Sequence, residues 1–287
     1  MTAGEIQIRN VKNAAYDHVG KYQQDKVNGL DDRLLNKFIS LANIKGDEQI
    51  LDAMAGNGNL SKRIFDYCRN NGLSAPDINT LEYSNVQVGF AKELLREYPA
   101  DVIWGDVLSM TDLSNYTSLE NDRFDLVFIK SANHEIPLKQ HETLYKNIFR
   151  VLKPGGKYLN LGFLFDRSIE RDEFREIARI KDRLASMKQA SANRHFLTQD
   201  EFYDRMRKAG FISISCCEKF NYAIRSSVVA KQYGKNGNTM QFSVEHQKAQ
   251  IKAFHMRKNG LISFEGDDSI MRCPGELTVA YKPSIIK

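Results

Sequence analysis

From Gly46 to Phe163 the chain alternates short apolar runs with stretches of helical length and period. This alternation constrains the fold more than any other feature. A strand, a helix and a second strand in succession pack as a crossover between parallel neighbours. The apolar runs predict strands over Gln49–Ala53, Asp77–Glu82, Asp101–Trp104, Phe124–Lys130 and Lys157–Phe163. The run at Phe124–Lys130 lacks alternation, as expected of a strand covered on both faces. Helices are expected over Asn59–Asn71, Val86–Glu97 and Lys139–Leu152, the last stopped by Lys153-Pro154-Gly155-Gly156. Two later strands, Phe211–Lys219 and Glu276–Tyr281, bring the expected total to seven. The fold class is therefore α/β, a doubly wound and mostly parallel sheet. In such sheets ligands bind beyond the carboxyl ends of the strands.

The flanking segments read as helical. Residues 1–45 form an expected N-terminal helical cap with an amphipathic stretch at Leu30–Leu41; residues 46–287 form the main domain. Ile169–Lys188 is a long charged helix. Thr198–Lys208 is another, with Thr198 and Glu201 at capping-box spacing. Phe242–Lys258 reads as helix within an insertion, 220–260, between the last two strands. That insertion should lie near the ligand edge and cover a substrate.

Composition narrows the partners. Of 287 residues 42% are hydrophobic, enough to bury a sizeable core. The formal charge of +5 comes from 41 basic and 36 acidic residues of interspersed sign. The longest basic clusters, Lys62-Arg63 and Arg205, Arg207 and Lys208, are short. A nucleic-acid surface concentrates its basic residues, so this surplus reads as solvated surface. Cys68, Cys216, Cys217 and Cys273 form no C-x-x-C pair and read as reduced thiols. No secretory leader is visible, and no stretch reaches the roughly 20 apolar residues of a membrane span. A cytoplasmic location is expected. His18, His134, His141, His195, His246 and His255 show no metal-ligand spacing, so no metal is expected. No motif fixes the oligomeric state, and a homodimer is compatible with the chain.

The sharpest local signal is Ile50-Leu51-Asp52-Ala53-Met54-Ala55-Gly56-Asn57-Gly58-Asn59-Leu60. An apolar strand ends in an acid and turns through Gly-x-Gly into a helix. The glycines admit positive φ and close approach of a ligand, and the helix start adds amide donors. Glu82 closes the next strand, where a carboxylate can accept from both hydroxyls of a ribose. The third strand runs into Gly105-Asp106-Val107, where an acid can accept from an adenine amino group. Three acids at three consecutive strand ends form one rim.

These residues resemble the class I S-adenosylmethionine-dependent methyltransferase family, which has a Rossmann-like fold. The resemblance rests on Leu51–Gly58, Leu81-Glu82-Tyr83-Ser84, Gly105-Asp106-Val107, Phe124–Phe128 and Val151-Leu152-Lys153-Pro154-Gly155-Gly156. It extends to Phe196-Leu197-Thr198 and Lys208-Ala209-Gly210-Phe211. It implies that Asp52 and the loop Ala53, Met54, Gly56 and Gly58 hold the methionine half of S-adenosylmethionine. Glu82 would take the ribose, Tyr83 and Ser84 would pack by the adenine, and Asp106 and Val107 would hold the base. The family often has glycine where Met54 stands, a departure that bears on the loop's shape. Tyr16 and Tyr22 match tyrosines that the family often places over the cofactor.

The segment Lys130-Ser131-Ala132-Asn133-His134-Glu135-Ile136-Pro137 follows the fourth strand. In related enzymes it faces both cofactor and acceptor. Lys130 and Ser131 are therefore assigned to the cofactor side, and Asn133 to the substrate. His134 resembles a histidine that removes a proton from the acceptor or positions it, with Glu135 to orient it. His18, Arg194, His195, Tyr222 and Arg225 are further candidates for the acceptor pocket. The implied reaction is direct displacement at the methyl carbon onto an O, N or C atom of a small molecule, leaving S-adenosylhomocysteine. Three alternatives stay open from sequence. A nicotinamide oxidoreductase would usually show a third glycine in its turn. A base-methylating enzyme would usually carry Asn/Asp-Pro-Pro-aromatic where Ser131-Ala132-Asn133-His134 stands. A non-catalytic binding subunit would not need the ribose acid.

Overall fold

The structure is a computed structural model that describes residues 24–187, 191–192, 194–234 and 239–284. Its strands are β1 Gln49–Ala53, β2 Asp77–Glu82, β3 Ala100–Asp106, β4 Thr111–Asp112, β5 Thr117–Ser118, β6 Phe124–Lys130, β7 Leu152–Phe165, β8 Leu197–Thr198, β9 Ile212–Arg225, β10 Ile262–Glu265 and β11 Asp268–Tyr281. The helices are α1 Gln24–Asn28, α2 Asp32–Ser40, α3 Asn59–Asn70, α4 Asn85–Leu94, α5 His141–Val151, α6 Ser168–Leu184, α7 Gln199–Lys208, α8 Ser226–Tyr233, α9 Thr239–Lys252 and α10 Phe254–Lys258.

The sheet order is β10-β11-β7-β6-β1-β2-β3-β4-β5, with β9 on the other side of β11 and β8 beside β7. The strands from β3 through β2, β1 and β6 to β7 run parallel. β11 runs antiparallel to both β7 and β9. The doubly wound class holds, but the sheet has eleven strands rather than seven. The strands of five or more residues are the expected seven, and the four extra ones span two to four residues each.

β6 shows why the class was readable. Leu126 and Phe128 join the apolar cluster on one face, while Val127 and Ile129 join the cluster on the other. Successive side chains of a strand point to opposite faces, so a strand buried on both loses its polar alternation. α2 buries Leu34, Leu35, Phe38 and Ile39, and its Asp31 cap accepts the Leu34 amide. The capping box of α7 forms as its spacing predicts, from Thr198 and Glu201.

The last two long strands run further than expected. Phe220–Arg225 of β9 pairs with Ile270–Gly275 of β11 in an antiparallel extension. Its polar residues and Pro274 hid this length, because proline donates no ladder hydrogen bond. Between β9 and β11 lie α8, α9, α10 and β10, and α9 packs on α6 and α8. Likewise β7 begins at Leu152 rather than Lys157, since Gly155 and Gly156 exchange backbone hydrogen bonds with Lys282.

Candidate active site

Glu82 and Asp106 end β2 and β3, and Asp52 is the next-to-last residue of β1, so the three acids stand at the same edge of neighbouring parallel strands. Glu82 is the hinge of this rim. Its Oε2 accepts the Gly56 amide at 2.8 Å and its Oε1 accepts the Ser84 amide at 2.7 Å. Burial raises its carboxyl to about 7, against the pull of those two amides and with the help of the nearby charge of Glu135. Asp52 is 1% exposed and turns beneath the loop, where Oδ2 accepts the amide and hydroxyl of Ser61. Burial raises it to about 6. Asp106 accepts the Leu108 amide and the Ser109 hydroxyl within its own turn, with Val107 buried beside it.

The loop joining β1 to α3 has three residues at positive φ: Met54 at 59°, Gly56 at 59° and Gly58 at 79°. Met54 adopts a backbone shape for which a side chain is costly and glycine is not. Its side chain packs at the edge of the apolar cluster that contains Ala53. A Cβ added at Gly56 would meet no atom within 4 Å, so the loop leaves an open face there. That open face, a ribose-competent carboxylate and a buried second acid suit an adenosine-bearing sulfonium.

The other rim residues have definite partners. Ser84 caps α4 by accepting the Gln87 amide. The Tyr83 carbonyl accepts Nε1 of Trp104 at 3.0 Å. Lys130 pairs with Asp25 of α1, and Gln24 donates to the Ser131 carbonyl. Ser131 sits at φ 52° and its hydroxyl shares a 2.9 Å hydrogen bond with that of Tyr222.

Beside the rim lies a cavity of about 60 Å³. Ser131, His134, Glu135 and Arg194 line it, as do Phe163 and Phe196. Its far wall comes from α6, α8 and α9, through Lys181, Tyr233 and His246. His134 stacks on Phe196 with ring centroids 4.9 Å apart. Its Nε2 lies 3.2 Å from Arg194 Nη1, and since a guanidinium only donates, Nε2 accepts.

Of the expected acceptor residues, His134 and Arg194 meet in this cavity, with Glu135 beside them. Asn133 and His195 line a separate, smaller space behind the loop, where Asn133 donates to Asn160 at 2.7 Å. Tyr222 is fully buried, stacked on Phe163. Arg225 lies outside the cavity and pairs with Glu265. Tyr16, His18 and Tyr22 lie outside the described residues. Sequence reasoning missed Lys181 and His246. The first had a signal: Phe174, Ile177, Ala178 and Lys181 recur at helical spacing, which puts a lysine on the apolar stripe of α6.

Among the described residues, no helix is long and apolar enough to cross a membrane, and no group of three or more His, Cys, Asp or Glu could hold a metal.

The mostly parallel sheet with its antiparallel seventh long strand is the Rossmann-like arrangement expected from the sequence. Residues 50–156 match the family model described as a methyltransferase domain, and the chain carries that domain. No curated protein matches the chain in sequence. Among solved structures, the YcgJ protein of Bacillus subtilis has a TM-score of 0.70 at 15% identity, covering 88% of this chain and 100% of its own. A phosphoethanolamine N-methyltransferase of Haemonchus contortus, bound to phosphomonomethylethanolamine and S-adenosylhomocysteine, has a TM-score of 0.57 at 17% identity, covering 95% and 57%. The geranyl diphosphate C-methyltransferase of Streptomyces coelicolor has a TM-score of 0.53 at 11% identity, covering 88% and 76%. At these identities the likeness is one of fold.

Proposed function

We propose that the protein passes a methyl group from S-adenosylmethionine to a small-molecule acceptor held in the cavity beneath α6, α8 and α9. One observation supports this reading: the segment after β6 lines the cavity and also approaches the acid rim. His134 and Glu135 line the cavity, while the charge of Glu135 is felt at Glu82 on the cofactor rim. Fold neighbours named for small-molecule acceptors, phosphoethanolamine and geranyl diphosphate, are in keeping with it.

In this reading Glu82, Tyr83, Ser84, Asp106 and Val107 hold the adenosine half of the cofactor. The loop from Ala53 to Gly58 holds the methionine half, stiffened from below by Asp52. Lys130 and Ser131 form the near end of the site. The cofactor, when bound, supplies a methyl carbon already activated by its sulfonium. The chain must then exclude water and hold the acceptor atom in line, at roughly 3–3.5 Å. The enclosing rings of Phe163 and Phe196 and the cover of α8 and α9 serve the first need. His134 serves the second and takes the acceptor's proton at Nε2, which requires Arg194 to release that lone pair. The insertion 220–260 acts as the substrate cover, and the setting is cytoplasmic.

Calorimetry with S-adenosylhomocysteine, followed by transfer of labelled methyl into a fractionated metabolite extract, tests the reading. Saturable binding and a labelled small molecule are expected. Absence of binding would sink it, and label found only in RNA would redirect it.

A further inference from the structure

Two cations and two carboxylates meet at the far wall of the cavity. Asp182, fully buried, is the carboxylate that meets two cations. Arg194 grips it with Nε at 2.6 Å and Nη2 at 3.0 Å, and Lys181 Nζ stands 2.6 Å from its Oδ1. Glu135 is the next carboxylate, 3.9 Å from Arg194 Nη1 on the cofactor side. Lys181, with three N–H donors, therefore has a shared carboxylate oxygen and the face of Tyr233, whose ring centre is 4.3 Å away. His246 lines the same cavity at 1% exposure, and its buried Nδ1 has no hydrogen-bond partner among the described residues. Burial lowers Lys181, and burial together with Lys181 depresses His246 to about 4. A buried polar atom without a partner, facing a cavity, marks a place for a ligand group.

We propose, on the reading that this cavity receives the methyl acceptor, that the acceptor is a small organic oxyanion whose carboxylate or phosphate is held between Lys181 and His246. With the His246 proton on Nδ1, the anion gives the ammonium a second acceptor and gives that N–H its missing one. The carbon part of the acceptor then lies against Phe163, Phe174 and Phe196, and its reacting atom faces His134.

The test uses the whole protein with ¹⁵N-labelled histidine, the His246 resonance being identified by its loss in His246→Phe. Acetate and inorganic phosphate are titrated in, with acetamide as the neutral counterpart. Either anion should shift the His246 ring signal in a saturable way, and acetamide should not. The anion that saturates at lower concentration decides between carboxylate and phosphate. Lys181→Met should weaken anion binding by about tenfold or more, while Lys181→Arg keeps most of it. Acetamide shifting His246 as strongly as both anions overturns the proposal without any variant, and so does unchanged anion affinity in folded Lys181→Met. S-adenosylhomocysteine is titrated in parallel. Retained affinity shows that a variant is folded. Wild-type protein that binds acetate at His246 but not S-adenosylhomocysteine defeats the proposed function and leaves the oxyanion site standing.

Discussion

The Glu82 carboxylate reaches back across the rim to the Gly56 amide, 2.8 Å away, and so ties the end of β2 to the glycine loop after β1. The residue expected to grip the ribose also shapes the loop expected to hold the other half of the same molecule. A change at Glu82 will therefore be felt at both ends of the cofactor.

The first prediction follows from the protonation of that carboxyl. Burial raises Glu82 to about 7 and Asp52 to about 6. For an acid raised in the folded state, the native protein binds the extra proton, so its ionisation costs stability as pH climbs from the unfolded value to the folded one. Ribose hydroxyls need the ionised form as acceptor. S-adenosylhomocysteine affinity should be flat above pH 7.5 and fall below pH 7, approaching about tenfold per unit. Calorimetry across pH 5.5–8.5 measures this, and Glu82→Gln should bind weakly at every pH.

Asp182 sets a different acid limit. Burial opposes its ionisation, but Arg194 and Lys181 outweigh burial and hold the carboxyl well below the usual range. Its contribution is present above the unfolded value of about 3.9 and is lost as pH falls below it. Asp182→Asn leaves two buried cations short of a partner and should cost about 3–5 kcal/mol in urea unfolding at pH 7. A loss under about 1 kcal/mol would show the network to be solvated.

Met54 tests the strain of the loop. At φ 59° a β-branched residue is worse placed than methionine and glycine is better placed. Met54→Val should destabilise by about 1–2 kcal/mol, whereas Met54→Gly should stay within about 1 kcal/mol of wild type. Chemical denaturation of both variants decides, and equal stabilities would place the loop outside the left-handed region.

His134→Ala should lower methyl transfer by roughly 10²-fold while leaving S-adenosylhomocysteine affinity unchanged, since the ring lines the acceptor cavity. Full turnover with the natural acceptor would remove His134 from the chemistry.

Much of the scaffold was legible because its signals are local. β1, β2 and β6 have the bounds that their apolar runs set, and the Thr198–Glu201 box forms as spaced. The acid rim was legible because strand ends of a parallel sheet share an edge. The acceptor side was less so, since it depends on which face each residue takes. Ile224 lines the cavity while its neighbour Arg225 points to Glu265, as the two-residue period of a strand requires. Tyr222 shares the face of Ile224, yet it is consumed by Ser131 and Phe163. His246 lies on α9, where no local pattern separates a cavity residue from a packed one; only the approach of α6 and α8 does so.

Trp104, the chain's single tryptophan, pairs with Glu82 in the β2–β3 ladder and hangs by its indole N–H from the Tyr83 carbonyl. The molecule thus carries its own optical gauge at the edge where adenine is expected to stack. Its emission reads the filling of that edge directly, with no dye and no competing indole elsewhere in the chain.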